Sequence, residues 1–130
     1  MMPDRPELLS LTQSLAEHSA ARQRVAAHNT AHADTPGYEA RRLPDFAETL
    51  QDGGQPLTLA STRAGHIAGG APTQGAEARI DRSAPAEPNG NTVSIETEMR
   101  ESAEAGSDHR LALAVYDSAL NLMRSTLGRG

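Results

Sequence analysis

Cysteine, tryptophan and lysine are absent from the 130 residues, and Tyr38, Phe46 and Tyr116 are its only aromatic side chains. Without cysteine there is no disulfide framework, no thiolate metal site and no cysteine nucleophile. Without lysine there is no Schiff base and no phosphate-clamping ammonium, since all twelve basic residues are arginine. A formal charge of −5 argues against nucleic acid as a partner. No apolar run approaches membrane-spanning length, so direct membrane insertion is not expected. The opening stretch MMPDRPELLS offers nothing that could serve as a cleavable signal. The expected location is therefore cytoplasmic, unless export uses a route that needs no such signal. Large side chains are also scarce: aromatics make 2% of the chain and mean hydropathy is −0.54. Such a chain is expected to be marginal alone, either partly disordered or completed by partners.

What is present is mainly helical, with long helices at both ends of a Gly/Pro-rich middle. Residues 1–33 carry the first helical pattern, from about Pro6 to Ala33, with Asp4 as a plausible N-cap and Glu7 three residues on. Leu8, Leu11, Leu15, His18, Arg22, Val25, Asn29 and His32 step by three and four, a heptad seam that is apolar first and polar later. Residues 34–46 hold a turn and an extended segment ending at Phe46. Residues 47–90 include DGGQP, AGGAPTQG and SAPAEPNG and read as a mostly irregular, flexible region with at most a short strand near Ala78–Ile80. Residues 91–130 carry the second helical pattern, from about Thr92 to Leu127, with Asn91, Thr92 or Ser94 as possible caps and Gly128 at its end. Its seam runs Ile95, Met99, Ser102, Gly106, His109, Leu113, Tyr116, Leu120, Met123, Leu127, with Leu111 and Leu122 on its shoulders. Gly106 weakens the middle of this helix by about 1 kcal/mol relative to alanine. The two seams predict a coiled-coil-like pair. Arg22, Arg24, Arg41 and Arg42 are the natural complement of Glu96, Glu98, Glu101, Glu104 and Asp108.

Sites for chemistry are few. His28 and His32 at i, i+4 share a helical face, and Asp34 is near in sequence, a pattern that can hold zinc. There is no glutamate between them as in zinc proteases and no evident later ligand, so the expectation is no metal, no cofactor and no enzyme. Neither a nucleophile elbow nor a phosphate-binding glycine motif is present. Thr35-Pro36-Gly37-Tyr38 has a clear backbone reading instead. Pro36 turns Thr35 away from helical dihedrals, and Pro-Gly at the central positions suits a type II turn with Gly37 at positive φ.

Asn29-Thr30-Ala31 followed by Thr35-Pro36-Gly37-Tyr38 resembles the N-x-A-x-x-x-T-P-G-Y signature of bacterial flagellar rod and hook axial proteins. Leu43-Pro44-Asp45-Phe46, the segment Leu59 to Ile67 with Thr62 and His66, and Gly90-Asn91-Thr92-Val93 are similar to the proximal-rod branch. His32 departs from the asparagine frequent there. The resemblance implies a structural subunit of the basal-body proximal rod, a drive shaft in the periplasm that serves motility. It also implies passage through the flagellar type III export apparatus. The implied partners are further copies of the chain, other proximal-rod proteins, and the adaptor joining the rod to the membrane ring and export gate. On this reading Leu8, Leu11, Leu15 and Val25 pack against Leu113, Tyr116, Leu120, Met123 and Leu127, within and between subunits. Asn29 bonds backbone or a neighbour near the helix end. Thr35, Pro36, Gly37, Tyr38 and Phe46 dock on an adjacent subunit. A cytoplasmic helical adaptor or chaperone of export is the alternative, with a His28/His32/Asp34 metal enzyme behind it.

Overall fold

A computed structural model describes residues 5–53 and 77–128. Asp4, the segment Leu59 to Ile67 and most of the Gly/Pro-rich stretch fall outside the described residues. The elements are α1 (Arg5–Ala31), β1 (Arg41–Arg42), α2 (Phe46–Gly53), β2 (Arg79–Ile80) and α3 (Ile95–Leu127). α1 and α3 lie along each other as an antiparallel hairpin: Asn29 meets Glu98 at one end, and Ala16 meets His109 further along. β1 and β2 pair antiparallel, Arg41 opposite Ile80 and Arg42 opposite Arg79, beside the Asn29 end.

Both helices follow from local chemistry. α1 is rich in alanine, leucine, glutamine and arginine, all good helix formers. It ends at Ala31, two residues before the expected limit, and the chain tightens through i→i−3 bonds from His32, Ala33 and Thr35. Of the three possible caps of α3, Ser94 takes the role, with extended dihedrals and its hydroxyl accepting from the Thr97 amide. α3 runs unbroken through Gly106, where an added Cβ would stand 3.0 Å from the Gln23 amide nitrogen. Gly128 closes it at φ −78, so the glycine there is not required by a left-handed backbone.

The buried stripe departs from the expected seam by one residue. On α1 the covered positions are Thr12, Ser14, His18, Ser19, Ala26 and Asn29, and on α3 they are Glu98, Ala105 and Ala112. The observed and expected stripes share His18 and Asn29 but part at Leu11 against Thr12 and Val25 against Ala26. On α3 the burial falls on Ala105 and Ala112 rather than Gly106 and Leu113. Small side chains let the helix backbones approach closely, and helix separation is set by the side chains at the contact. Buried hydroxyls on this face bond back along their own helix, Ser14 to the Ser10 carbonyl at 3.0 Å and Ser19 to Leu15 at 2.8 Å.

The connecting region also differs from its reading as extended and then irregular. Phe46 does not end an extended segment: it opens the eight-residue helix α2. The short strand expected near Ala78–Ile80 is present as β2. α2 is held to α1 by His18, whose Nε2–H donates to the Pro44 carbonyl at 2.8 Å while its ring lies 5.5 Å from that of Phe46.

Candidate functional site

The polar end of the hairpin is organised by Asn29, which is fully buried and fully bonded. Its Nδ2 donates to the Arg41 carbonyl at 2.8 Å and to Glu98 Oε2 at 3.2 Å. Its Oδ1 accepts from the Arg41 amide and from the Tyr38 hydroxyl, both at 3.1 Å. One side-chain amide therefore pairs with both backbone groups of Arg41 as a neighbouring strand would, and all four of its bonding positions are filled. Glu98, 1% exposed, receives Arg42 as a two-pronged partner, Nη2 to Oε1 at 2.6 Å and Nη1 to Oε2 at 3.1 Å. Planar guanidinium–carboxylate pairing is both stronger and more directional than a single contact. Arg42 also faces Asp81 across 3.8 Å. The Ser83 hydroxyl and amide hold the Asp81 carboxyl below its ordinary pKa, and the Arg42 charge adds to that.

The Thr35–Tyr38 turn has the expected form: the Tyr38 amide donates to the Thr35 carbonyl and Gly37 sits at φ +73. Its contacts are within the chain. Gly37 N–H donates to the Asn89 carbonyl, Thr92 N–H to the Tyr38 carbonyl, and the buried Asn91 amide reaches the His32 and Thr35 carbonyls at 2.9 and 2.7 Å. Gly90, at φ +85, stands so close that an added Cβ would lie 3.3 Å from Gly37 Cα. These bonds tie the backbone of the turn to residues 89–92 of its own chain. The outer faces of Thr35, Pro36 and Gly37 stay exposed.

Burial raises the Tyr38 pKa, and the nearby Glu98 charge adds to the rise against the opposing Arg41. Along the helix pair, Arg22 serves three acids of α3, with Glu101 at 3.0 Å, Asp108 at 3.2 Å and Glu104 at 3.5 Å. Burial would lower its pKa, but the bond to Glu101 and the surrounding acids outweigh that and raise it. The ion pairs among the described residues draw on Arg22 and Arg42 from the four arginines expected.

The large apolar side chains lie away from this network. Leu8, Leu15, Val25, Tyr116, Leu120 and Met123 are half-buried, as are Tyr38 and Phe46, while Leu11, Leu113 and Leu127 are exposed. Leu127 is 82% exposed, Met99 69%, and Leu111 and Leu122 each 59%. These four, with Leu11 and Leu113, form apolar surface that the hairpin itself does not cover. Sequence reasoning placed Leu111 and Leu122 at the seam's shoulders, named Arg42 and Glu98 within a broad set of complementary charges without pairing them, and gave Asn91 only as a possible cap. The available signal was an acidic residue in the first turn of a helix beside a double arginine. Among the described residues no group of three histidine, cysteine, aspartate or glutamate side chains gathers to hold a metal. Nor is any helix there long and apolar enough to cross a membrane.

No protein-family profile matches the chain. Among curated proteins it is similar to the flagellar basal body rod protein FlgB of Salmonella typhimurium, 35% identical over 133 residues that cover 94% of each chain. It is 32% identical to the protein of the same name from Escherichia coli K12 over 134 residues, again 94% of each chain. For that of Agrobacterium fabrum the identity is 25% over 126 residues, 95% of this chain and 94% of the relative.

Proposed function

The chain belongs to the family of the flagellar basal body rod protein FlgB, and from that premise we propose that it is a structural subunit of the proximal rod, assembled through α1 and α3. It has a structural role in the basal-body rod. The finer reading is a segment of a drive shaft in the periplasm, delivered by the flagellar type III export apparatus and needed for motility. Its neighbours are further copies, other proximal-rod proteins, and an adaptor toward the membrane ring and export gate. The mechanism is assembly, without catalysis or a cofactor.

One observation supports this above the others. The hairpin closes on alanine, serine, asparagine and glutamate, and leaves Met99, Leu111, Leu113, Leu122 and Leu127 outside. Exposed apolar surface of this kind marks protein contacts, and neighbouring helices in a rod would cover it. In this arrangement Leu8, Leu15, Val25, Tyr116, Leu120 and Met123 line the margin where neighbours meet the hairpin, and Leu11, Leu113 and Leu127 reach into them. The exposed rim of Thr35, Pro36 and Gly37, with Tyr38 and Phe46 behind it, adds a lateral contact. Asn29 acts beneath that surface by fixing the backbone of Arg41.

The test is a Leu122→Glu variant. Leu122 is solvent-facing in the single chain, so expression and helicity should be unchanged, whereas incorporation into purified basal bodies and swimming should be lost. Normal swimming would overturn the assignment of this face. Recovery of the wild-type chain only in soluble extract, never in basal bodies, would favour a cytoplasmic export adaptor or chaperone instead.

A further inference from the structure

His28 and His32 have no third metal-binding side chain gathered with them among the described residues, yet each ring's Nδ1 is engaged in a hydrogen bond, as in metal-binding imidazoles. The His32 Nδ1 lies 2.8 Å from the His28 carbonyl, which can only accept, so this nitrogen carries a proton. The Tyr38 hydroxyl donates to Asn29 Oδ1, so the His28 Nδ1 at 2.8 Å from its oxygen must be the donor there. Each neutral ring is thereby held as the Nδ1–H tautomer, in which the Nε2 lone pair is the one able to bind a metal. A second-shell acceptor on the far nitrogen fixes tautomer and ring orientation, and raises the basicity of the nitrogen that binds.

The spacing agrees. The rings are 4.5 Å apart between centroids. Two imidazoles on one tetrahedral ion at Zn–N distances of about 2.0–2.1 Å place their centroids about 5 Å apart. Tyr38 restrains the pair from a third side, stacked on His32 at 4.6 Å with the ring planes 11° apart. His28 is exposed and His32 half-buried, so the remaining coordination positions are open to water.

We propose that the Nε2 atoms of His28 and His32 form a two-imidazole site for a borderline divalent transition metal of the Zn²⁺ class. The site sits at the end of α1, and its occupation braces that end against the Tyr38 turn. Imidazole nitrogens suit Zn²⁺, Ni²⁺ and Cu²⁺ and disfavour Mg²⁺ and Ca²⁺. Because the two rings come together only in the folded helix, the ion binds folded chain better than unfolded chain and stabilises it by mass action. This is independent of assembly into a rod.

The experiment is calorimetric titration of Zn²⁺ into the tag-free full chain. One ion should bind per chain, with a raised Tm. His28→Ala and His32→Ala should each weaken binding more than tenfold, while His109→Ala retains it. Tyr38→Phe keeps the ring and removes the acceptor, so affinity should fall about tenfold or more. Circular dichroism of each variant separates a lost ligand from a lost fold. Absence of saturable Zn²⁺ binding below about 1 mM, the weak limit of useful affinity, would overturn the proposal. So would unchanged binding by a folded His32→Ala chain.

Discussion

At the scale of single residues, the most consequential side chain is Glu98, a carboxylate at 1% exposure whose charge is met by Arg42 and Asn29. Removing one partner of a buried pair leaves an uncompensated charge, which costs about 3–5 kcal/mol. Arg42→Ala should therefore lower the unfolding free energy by that amount, read as a fall in the urea midpoint, and in a marginal chain it should abolish cooperative unfolding. Adding Glu98→Gln to Arg42→Ala should recover part of the loss, because the amide carries no charge. Asp81 gives the pH dependence. Its folded pKa is lowered from 3.8, chiefly by the Ser83 hydroxyl. The stability it contributes is complete above that ordinary value and is lost as pH falls below it through the folded value. Urea midpoints measured from pH 6 down to pH 3 should drop in the wild type, and Asp81→Asn should flatten the lowest part of that curve.

At the scale of elements, the Thr35–Tyr38 turn and the Glu87–Gly90 turn lock together through two glycines. Gly37 and Gly90 are both left-handed, which costs an L residue about 1–2 kcal/mol. Only Gly90 also faces backbone, at 3.3 Å from Gly37 Cα, while nothing lies within 4 Å of a Cβ at Gly37. Gly90→Ala should accordingly destabilise more than Gly37→Ala by thermal melting, since a backbone neighbour cannot swing aside. The Pro36-Gly37 turn was legible in the sequence because proline and glycine fix dihedrals locally. Its partner, the Asn91 amide that reaches the His32 and Thr35 carbonyls, was not, for the contact spans 56 to 59 residues. Helix α2 was also missed. Asp45 with Glu48 three residues on is a capping pattern and Phe46 with Leu50 an i, i+4 pair, but eight residues are too few to stand out from a Gly/Pro-rich background.

At the scale of the whole molecule, the hairpin is polar and interlocked at the Asn29 end and apolar and open along α3. The exposed side chains Leu111, Leu113 and Leu122 add little to the single chain, so their replacement should separate folding from assembly. That separation is what the Leu122→Glu experiment measures. A subunit whose leucines lie outside its own contact has a reason to associate and little core with which to resist unfolding.

The sequence by itself determined the two long helices, the place where the first one stops, the positive φ at Gly37, and the family through its Asn29 and Thr35–Tyr38 signature. These are local properties, set by propensity, periodicity and dihedral restriction within a few residues. The tertiary structure decided which side of each helix is buried. A three-four spacing of leucines marks an apolar stripe without stating what covers it. Here closest approach of two backbones selects Ala26, Ala105 and Ala112, and the stripe turns outward by one residue. The tertiary structure also decided that Asn29, Arg42 and Glu98 meet, because charge and hydrogen-bond complementarity across about 69 residues has no periodicity to read.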